Sequence, residues 1–400
     1  MKLKRKEFLI RTSNRAKEIK EFAVMRILSR AKALEASGKK VIHMEIGEAD
    51  FGLPAPIEKG ALEAIQKGYS GYTEAQGLLS LRKKICGFYN DSFGVNVDPG
   101  RVFITTGASG GLLLLTALLL NNDENILLPD PGYPCYSNYA IAFNANPVLV
   151  PVDSRTDFKL SPDLLSEHWR PDTRGLLIGS PANPTGAVYS ERELRELSKV
   201  VKANSGFLVL DEVYQGTNFY PEACSTALSV SSEIFVINSF SKLFGMTGWR
   251  LGWLVVPEST CSDLLKLAQN FFICPPSISQ HAALAAFSNE TQAIIKGHAD
   301  TLRKRKEFLV KALRDIGFLI DTPPRGAFYV YAKLPKDSIR SEEFCHRLLE
   351  EEFVSLTPGT DFGHNRSDDF VRFSYTQKLS VLKLAVDRIA RFLGGFNSHF

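Results

Sequence analysis

Between residues 100 and 256 the chain repeats one pattern, a short continuous apolar run closed by a polar loop. The runs are VFIT (102–105), NILLP (125–129), VLVPV (148–152), GLLIGS (175–180), FLVLDE (207–212), IFVINS (234–239) and LGWLVVP (251–257). Their hydrophobicity does not alternate, so both faces of each strand are expected to be buried, as in a largely parallel sheet. Helical stretches such as SERELRELSKVVKAN (190–204) separate them, and the predicted architecture is α/β with helices on both faces. The most apolar run, GLLLLTALLL (111–120), is too short for the ~20 residues that span a bilayer and predicts a buried helix. Residues 281–317 read as helical, and the basic run Arg303, Lys304, Arg305, Lys306 within them reads as a solvated helix face. Short strands at 327–334 and 370–375, alternating with helices, predict a smaller α+β region.

In a parallel sheet, ligands bind beyond the carboxyl ends of the strands. Polar loops follow the apolar runs directly: TTGASGG (105–111), DPGYP (130–134), PANPTG (181–186), DEVY (211–214) and SFSK (239–242).

Composition narrows the possibilities without naming a chemistry. A chain of 400 residues, 44% hydrophobic and 23% charged, is globular and long enough for two or three domains. Its net charge of +4 demands neither a nucleic acid nor a membrane, but leaves a small anionic ligand open. The six cysteines show no CxxC pairing or metal-ligand spacing, so neither a metal site nor a disulfide framework is expected, and reduced thiols suit a cytoplasmic protein. The basic N-terminus, MKLKRKEFLIRTSNRAKEIK (1–20), lacks the apolar core of a secretory signal. It reads either as an arm for nucleic acid or lipid or as an ordered N-terminal helix.

The glycine-rich TTGASGG stands between a strand and a helix, where backbone N–H groups and the helix dipole can converge on an anion. A tight turn with no ligand would have the same sequence. Ser239, Ser241 and Arg250 add hydroxyl and guanidinium donors that suit a phosphate. Asp211 ends an apolar run, where a carboxylate is costly unless it is paired or caps a helix. Lys242, beside these donors, is either a phosphate counter-ion or an amine able to form a Schiff base.

Taken in order, GYTEAQGLLSLR, PANPTG, DEVY, SFSKLFGMTGWRLGW and RFS resemble the motifs of the class I and II aminotransferases of pyridoxal 5'-phosphate (PLP) fold type I. The likeness runs from VIHMEIGEADF to FVRFSY, nearly the whole chain. It implies a large domain (48–285) with a mostly parallel seven-stranded sheet, and a small α+β domain formed by 1–47 and 286–400. By the same resemblance, Lys242 holds PLP as a Schiff base and moves the substrate's Cα proton, and Asp211 pairs with the pyridinium nitrogen. Asn183 and Tyr214 bond the ring oxygen, and Tyr133 stacks on the ring. Ala108, Ser109, Ser239, Ser241 and Arg250 hold the phosphate, and Tyr72 reaches the phosphate of a neighbouring subunit, implying a homodimer. Arg372 grips the substrate α-carboxylate, with Asn183 and the backbone of Gly47 beside it.

Two positions depart from the family pattern. Ala49 stands in IGEADF where relatives carry proline, and the phosphate loop reads Ala108, Ser109, Gly110 where some aspartate-specific relatives carry lysine. The second departure weighs against aspartate specificity. The loop TPGTDFGHNRSDDF (357–370) has extra polar residues to which the sequence gives no role. The expected activity is transfer of an amino group from an L-amino acid to a 2-oxo acid by a ping-pong route. A C–S lyase or another PLP-dependent lyase or synthase could use the same residues. Aromatic and apolar residues near the entrance, in ADFGLP and at Tyr72 and Tyr133, favour neutral or broad substrates.

Overall fold

The computed structural model describes residues 10–217, 226–336 and 338–397, so the most basic part of the N-terminus and Cys224 lie outside the described residues. The strands are β1 (Ile42–His43), β2 (Val102–Thr105), β3 (Asn125–Asp130), β4 (Asn146–Pro151), β5 (Thr173–Gly179) and β6 (Phe207–Asp211). They continue with β7 (Phe235–Ser239), β8 (Gly252–Val255), β9 (Tyr329–Lys333), β10 (Val354–Ser355), β11 (Thr357–Pro358) and β12 (Phe370–Ser374). The apolar runs of the sequence become β2 to β8, which form one seven-stranded sheet in the order β2-β8-β7-β6-β5-β3-β4. Only β8 runs antiparallel to its neighbours, so the carboxyl ends of the other strands share one edge.

Alternate residues of β6 explain why its run is continuously apolar. Leu208 and Leu210 enter one core cluster with Ile178 and Val236, while Val209 enters the cluster on the opposite face with Leu177 and Ile237. Each such side chain contributes about 1.5–3 kcal/mol on burial. One face is covered by the helix Gly107–Leu119 through Leu112 and Leu115. The other is covered by Glu191–Ala203, which buries Leu194, Leu197 and Val201 on one stripe. A capping box starts that helix: Ser190 Oγ accepts the Glu193 N–H at 3.3 Å, and Glu193 Oε2 accepts the Ser190 N–H at 2.7 Å.

Residues 281–317 are helical as expected, in separate pieces: the helix Ser277–Ala283 and a short 3-10 turn end before Ser288, whose extended backbone and hydroxyl cap a new helix, Asn289–Asp315. One expectation needs correction: the basic run is not a solvated face throughout. Arg303 and Lys304 are exposed, but Arg305 and Lys306 are buried, because successive residues step about 100° around a helix and four in a row cannot share one side. Arg305 Nη1 donates to Asp50 Oδ1 at 2.7 Å, and its guanidinium lies over the Phe51 ring.

The C-terminal strands β11, β12 and β9 form an antiparallel sheet, and β1 pairs with β10 in parallel. Their core contains Phe318, Phe344 and Phe373, packed against Leu302, Leu309 and Leu313 of the long helix. Among the described residues, no helix is long and apolar enough to cross a membrane.

Candidate active site

Five strand ends, those of β2, β3, β5, β6 and β7, and the C-terminal sheet meet around one cavity of about 650 Å³. After β2, Gly107 adopts φ +72° and opens the helix Gly107–Leu119. The N–H groups of Ala108 and Ser109 lie in its first turn, where the helix makes no bonds of its own. A Cβ on Gly107 would come within 2.7 Å of Arg250 Nη2, so glycine keeps the space between helix terminus and guanidinium open. Ser239 ends β7, and its Oγ lies 2.9 Å from Ser241 Oγ and accepts the Ser241 N–H at 3.0 Å. Arg250 is itself steadied by donating from Nη1 to Thr247 O at 2.8 Å. Helix terminus, hydroxyls and guanidinium together make a cradle for a dianion.

Asp211 ends β6 and is fully inside. Its Oδ2 accepts the Tyr136 hydroxyl at 2.8 Å and its Oδ1 the Val213 N–H at 3.0 Å. Burial pushes the carboxyl up to about 6, against the opposing pull of those donors and of Lys242. A cationic partner brought to this carboxylate would restore its charge. Lys242 Nζ donates to Gly47 O at 2.8 Å. Gly47 must be glycine here, because a Cβ would lie 1.7 Å from the Tyr329 hydroxyl oxygen. That hydroxyl is 3.0 Å from the Tyr214 hydroxyl, and burial holds the Tyr214 phenol well above its usual range.

Arg372 projects from β12 and is 3% exposed. Its Nη1 donates to Asn183 Oδ1 at 2.8 Å and its Nη2 to Thr357 Oγ1 at 3.2 Å and to Glu45 O. The guanidinium is sandwiched between the rings of Tyr329 at 4.1 Å and Phe362 at 4.8 Å. Packing thus fixes the plane of a fork suited to a carboxylate.

Every site residue expected from the sequence lines this cavity except Tyr72, which is 85% exposed and stands away from it. Phe51 does not line it either; it lines a smaller neighbouring cavity and stacks on His298 at 4.0 Å. The sequence reading missed Tyr136, Tyr329 and an N-terminal wall of Phe22, Val24, Met25 and Leu28. Tyr136 stands three residues beyond Tyr133 in a helix, Cys135–Ala142, and that spacing was the available signal. The N-terminal wall has none, because an apolar helix stripe looks the same wherever it docks. The loop at 360–369 takes on a structural role: Asp361 Oδ1 accepts the Ala23 N–H at 2.8 Å, and the His364 and Asn365 N–H groups bond Asp130 at 3.0 and 3.1 Å. It fastens the N-terminal segment beside the cavity.

A dianion cradle with a glycine that keeps it open, a buried carboxylate and a nearby primary amine fit a phosphorylated pyridine aldehyde. Comparisons with known proteins agree. The sequence profile described as aminotransferase class I and II matches residues 39–389. The (5-formylfuran-3-yl)methyl phosphate transaminase of Methanocaldococcus jannaschii is 36% identical over 95% of this chain and 99% of its own length. A valine–pyruvate aminotransferase of Mycobacterium tuberculosis is 36% identical over 93% and 96%. The crystal structure of an aminotransferase from Mycobacterium tuberculosis superposes with a TM-score of 0.93 at 35% identity, covering 97% of this chain and all of the other.

Proposed function

The chain belongs to the class I and II aminotransferases and is a PLP-dependent enzyme of fold type I; from that premise we propose how its own residues divide the work. Bound in the cavity, PLP supplies an aldehyde that condenses with amines and a protonated ring that accepts the electrons released at the substrate Cα. Ala108, Ser109, Ser239, Ser241 and Arg250 would hold its phosphate, Asp211 its ring nitrogen, Asn183 and Tyr214 its ring oxygen, and Tyr133 the ring face. Tyr136 orients Asp211 through its 2.8 Å hydrogen bond. Arg372, Asn183 and the backbone of Gly47 bind and orient the α-carboxylate of the amino acid. Lys242 Nζ would move the proton from the substrate Cα to the cofactor within the first half of a ping-pong cycle, and from the cofactor to the Cα of the incoming 2-oxo acid in the second.

Lys242 Nζ, held at Gly47 O in the one cavity that the Asp211 carboxylate and the Arg372 fork also line, is the observation that carries this reading. Residues 48–285 would form the cofactor-binding unit, and 1–47 with 286–400 the smaller one. We place the enzyme in the cytoplasm as a homodimer, with Tyr72 lent to the partner's phosphate. The relatives above are named for different substrates, one for an aldehyde that can only accept an amino group and the other for valine with pyruvate, so their names leave this chain's donor open.

The experiment is the visible spectrum of the holoenzyme titrated with single L-amino acids and no oxo acid. Loss of cofactor absorbance in proportion to one donor, restored by a 2-oxo acid, is expected. Pyruvate and ammonia accumulating without that cycle would replace transamination with a lyase reaction.

A further inference from the structure

His43 and Glu45 form a pair that the proposed chemistry does not use. Both ring nitrogens of His43, in β1, face carboxylates: Nδ1 lies 2.7 Å from Glu45 Oε1 and Nε2 3.1 Å from Glu35 Oε1. A neutral imidazole has a single N–H, so only the imidazolium can donate to both. Glu45 is fully buried, and its Oε2 has no hydrogen-bond partner among the described residues. The same holds for the buried Nε of Arg372, although Arg372 Nη2 donates to the main-chain oxygen of Glu45 and both residues line the active-site cavity. An unpaired carboxylate oxygen and an unpaired guanidinium N–H thus belong to two residues already in contact, and they do not bond one another.

The other charged groups around the pair are engaged elsewhere. On the helix Ala23–Ala36, Lys32 Nζ donates to Glu35 at 2.8 Å. Opposite His43, β10 presents the uncharged Ser355. Lys39 lies over the Phe353 ring, and Arg388 of the C-terminal helix donates to the carbonyls of Lys40 and Phe353. Among the described residues, His43 is therefore the one hydrogen-bond partner of the Glu45 carboxylate. That bond holds the imidazole above its usual range against the opposing pull of burial.

We propose that His43 is a positioning residue for substrate binding: by holding the Glu45 carboxylate it keeps the Arg372 fork free for the α-carboxylate of the amino acid. This rests on the proposed seat of that group at Arg372. Released from His43, Glu45 is a buried charge in need of a partner, and Arg372 is the cation its own backbone already holds. The two carboxylates, one from the protein and one from the substrate, then compete for one guanidinium. The clamp is complete below the ordinary histidine value of 6.5 and is lost as pH rises past the raised one.

The test measures the dissociation constant of propanoate, an unreactive carboxylate, on the holoenzyme from the change it makes in cofactor absorbance. For the unmodified protein the constant should rise with pH as His43 loses its proton. His43→Leu should weaken propanoate about ten-fold at low pH, the scale of one hydrogen bond to a charged group, and adding Glu45→Gln to it should restore the binding. Glu45→Gln by itself should bind propanoate as tightly as the unmodified protein does at low pH, with a profile that keeps only the cofactor's own titration. A merely structural role for His43 predicts the opposite, a second substitution that adds its damage to the first, and no recovery in the double variant overturns the proposal. Should His43→Leu fail to fold, Glu45→Gln decides: an alkaline loss as steep as that of the unmodified protein overturns it as well. Propanoate binding left unchanged by Arg372→Lys would remove the seat on which the proposal rests. If propanoate follows the expected pattern while no amino acid is consumed, the role of His43 stands and aminotransfer falls.

Discussion

Arg372 shows how much of a binding residue lies in what surrounds it. Its fork is aimed by Asn183 and Thr357 and flattened between two aromatic rings, so the entropy of ordering it is met by folding and not by the substrate. A lysine keeps the charge but has neither the plane nor the second donor. Arg372→Lys should raise KM for the amino donor about 10- to 100-fold, the scale of one or two charged hydrogen bonds, with the cofactor spectrum unchanged. Steady-state kinetics alongside that spectrum check it; an unchanged KM would take the carboxylate away from Arg372.

At the scale of the element, the end of β6 and the turn after it present two neighbouring carboxyls in different settings. Asp211 opens on the cavity, whereas Glu212 lies under the turn, accepting the Ala227 N–H at 2.6 Å, the Gln215 amide at 2.9 Å and the Thr226 hydroxyl at 3.1 Å. Burial outweighs these donors and pushes the Glu212 carboxyl up to about 8. The unfolded chain loses this proton near the ordinary value of 4.5, whereas the folded protein keeps it until about pH 8. The associated stability is therefore full below the lower value and is lost as pH rises toward the upper one. Glu212→Gln removes the titration, so its Tm should fall less between pH 5 and 8 than that of the unmodified protein. Parallel Tm curves would show that Glu212 is not the group that titrates.

Across the whole molecule, the exposed apolar side chains offer a surface for a second copy. Tyr72 is 85% exposed, Ile273 57% and Phe271 43%, and their segments are joined where Ser277 Oγ donates to Gly71 O at 2.5 Å. Exposed apolar groups of this size are candidates for the interface of the proposed homodimer. Sedimentation should give twice the 44.4 kDa of one chain, and Tyr72→Phe should weaken retention of PLP without changing that mass. A monomer that binds PLP as tightly as the dimer would remove Tyr72 from the site.

What the sequence alone determined is what local pattern and short motifs encode. A strand buried on both faces must be apolar at every position, so the inner strands of β2 to β8 were legible within a few residues of their ends, and the loops after them are where a parallel sheet gathers ligands; β4, expected to be buried on both faces, instead lies at the sheet edge with one fully buried residue. Tertiary structure decided which distant parts complete the site. Phe22 reaches Tyr133, Tyr329 reaches Tyr214 across 115 positions, and Arg305 reaches Asp50 across 255. The broken helix at Ser288 and the buried half of the basic run belong to the same class. No local period records such contacts, because packing between whole elements chooses them after each element's own pattern is already satisfied.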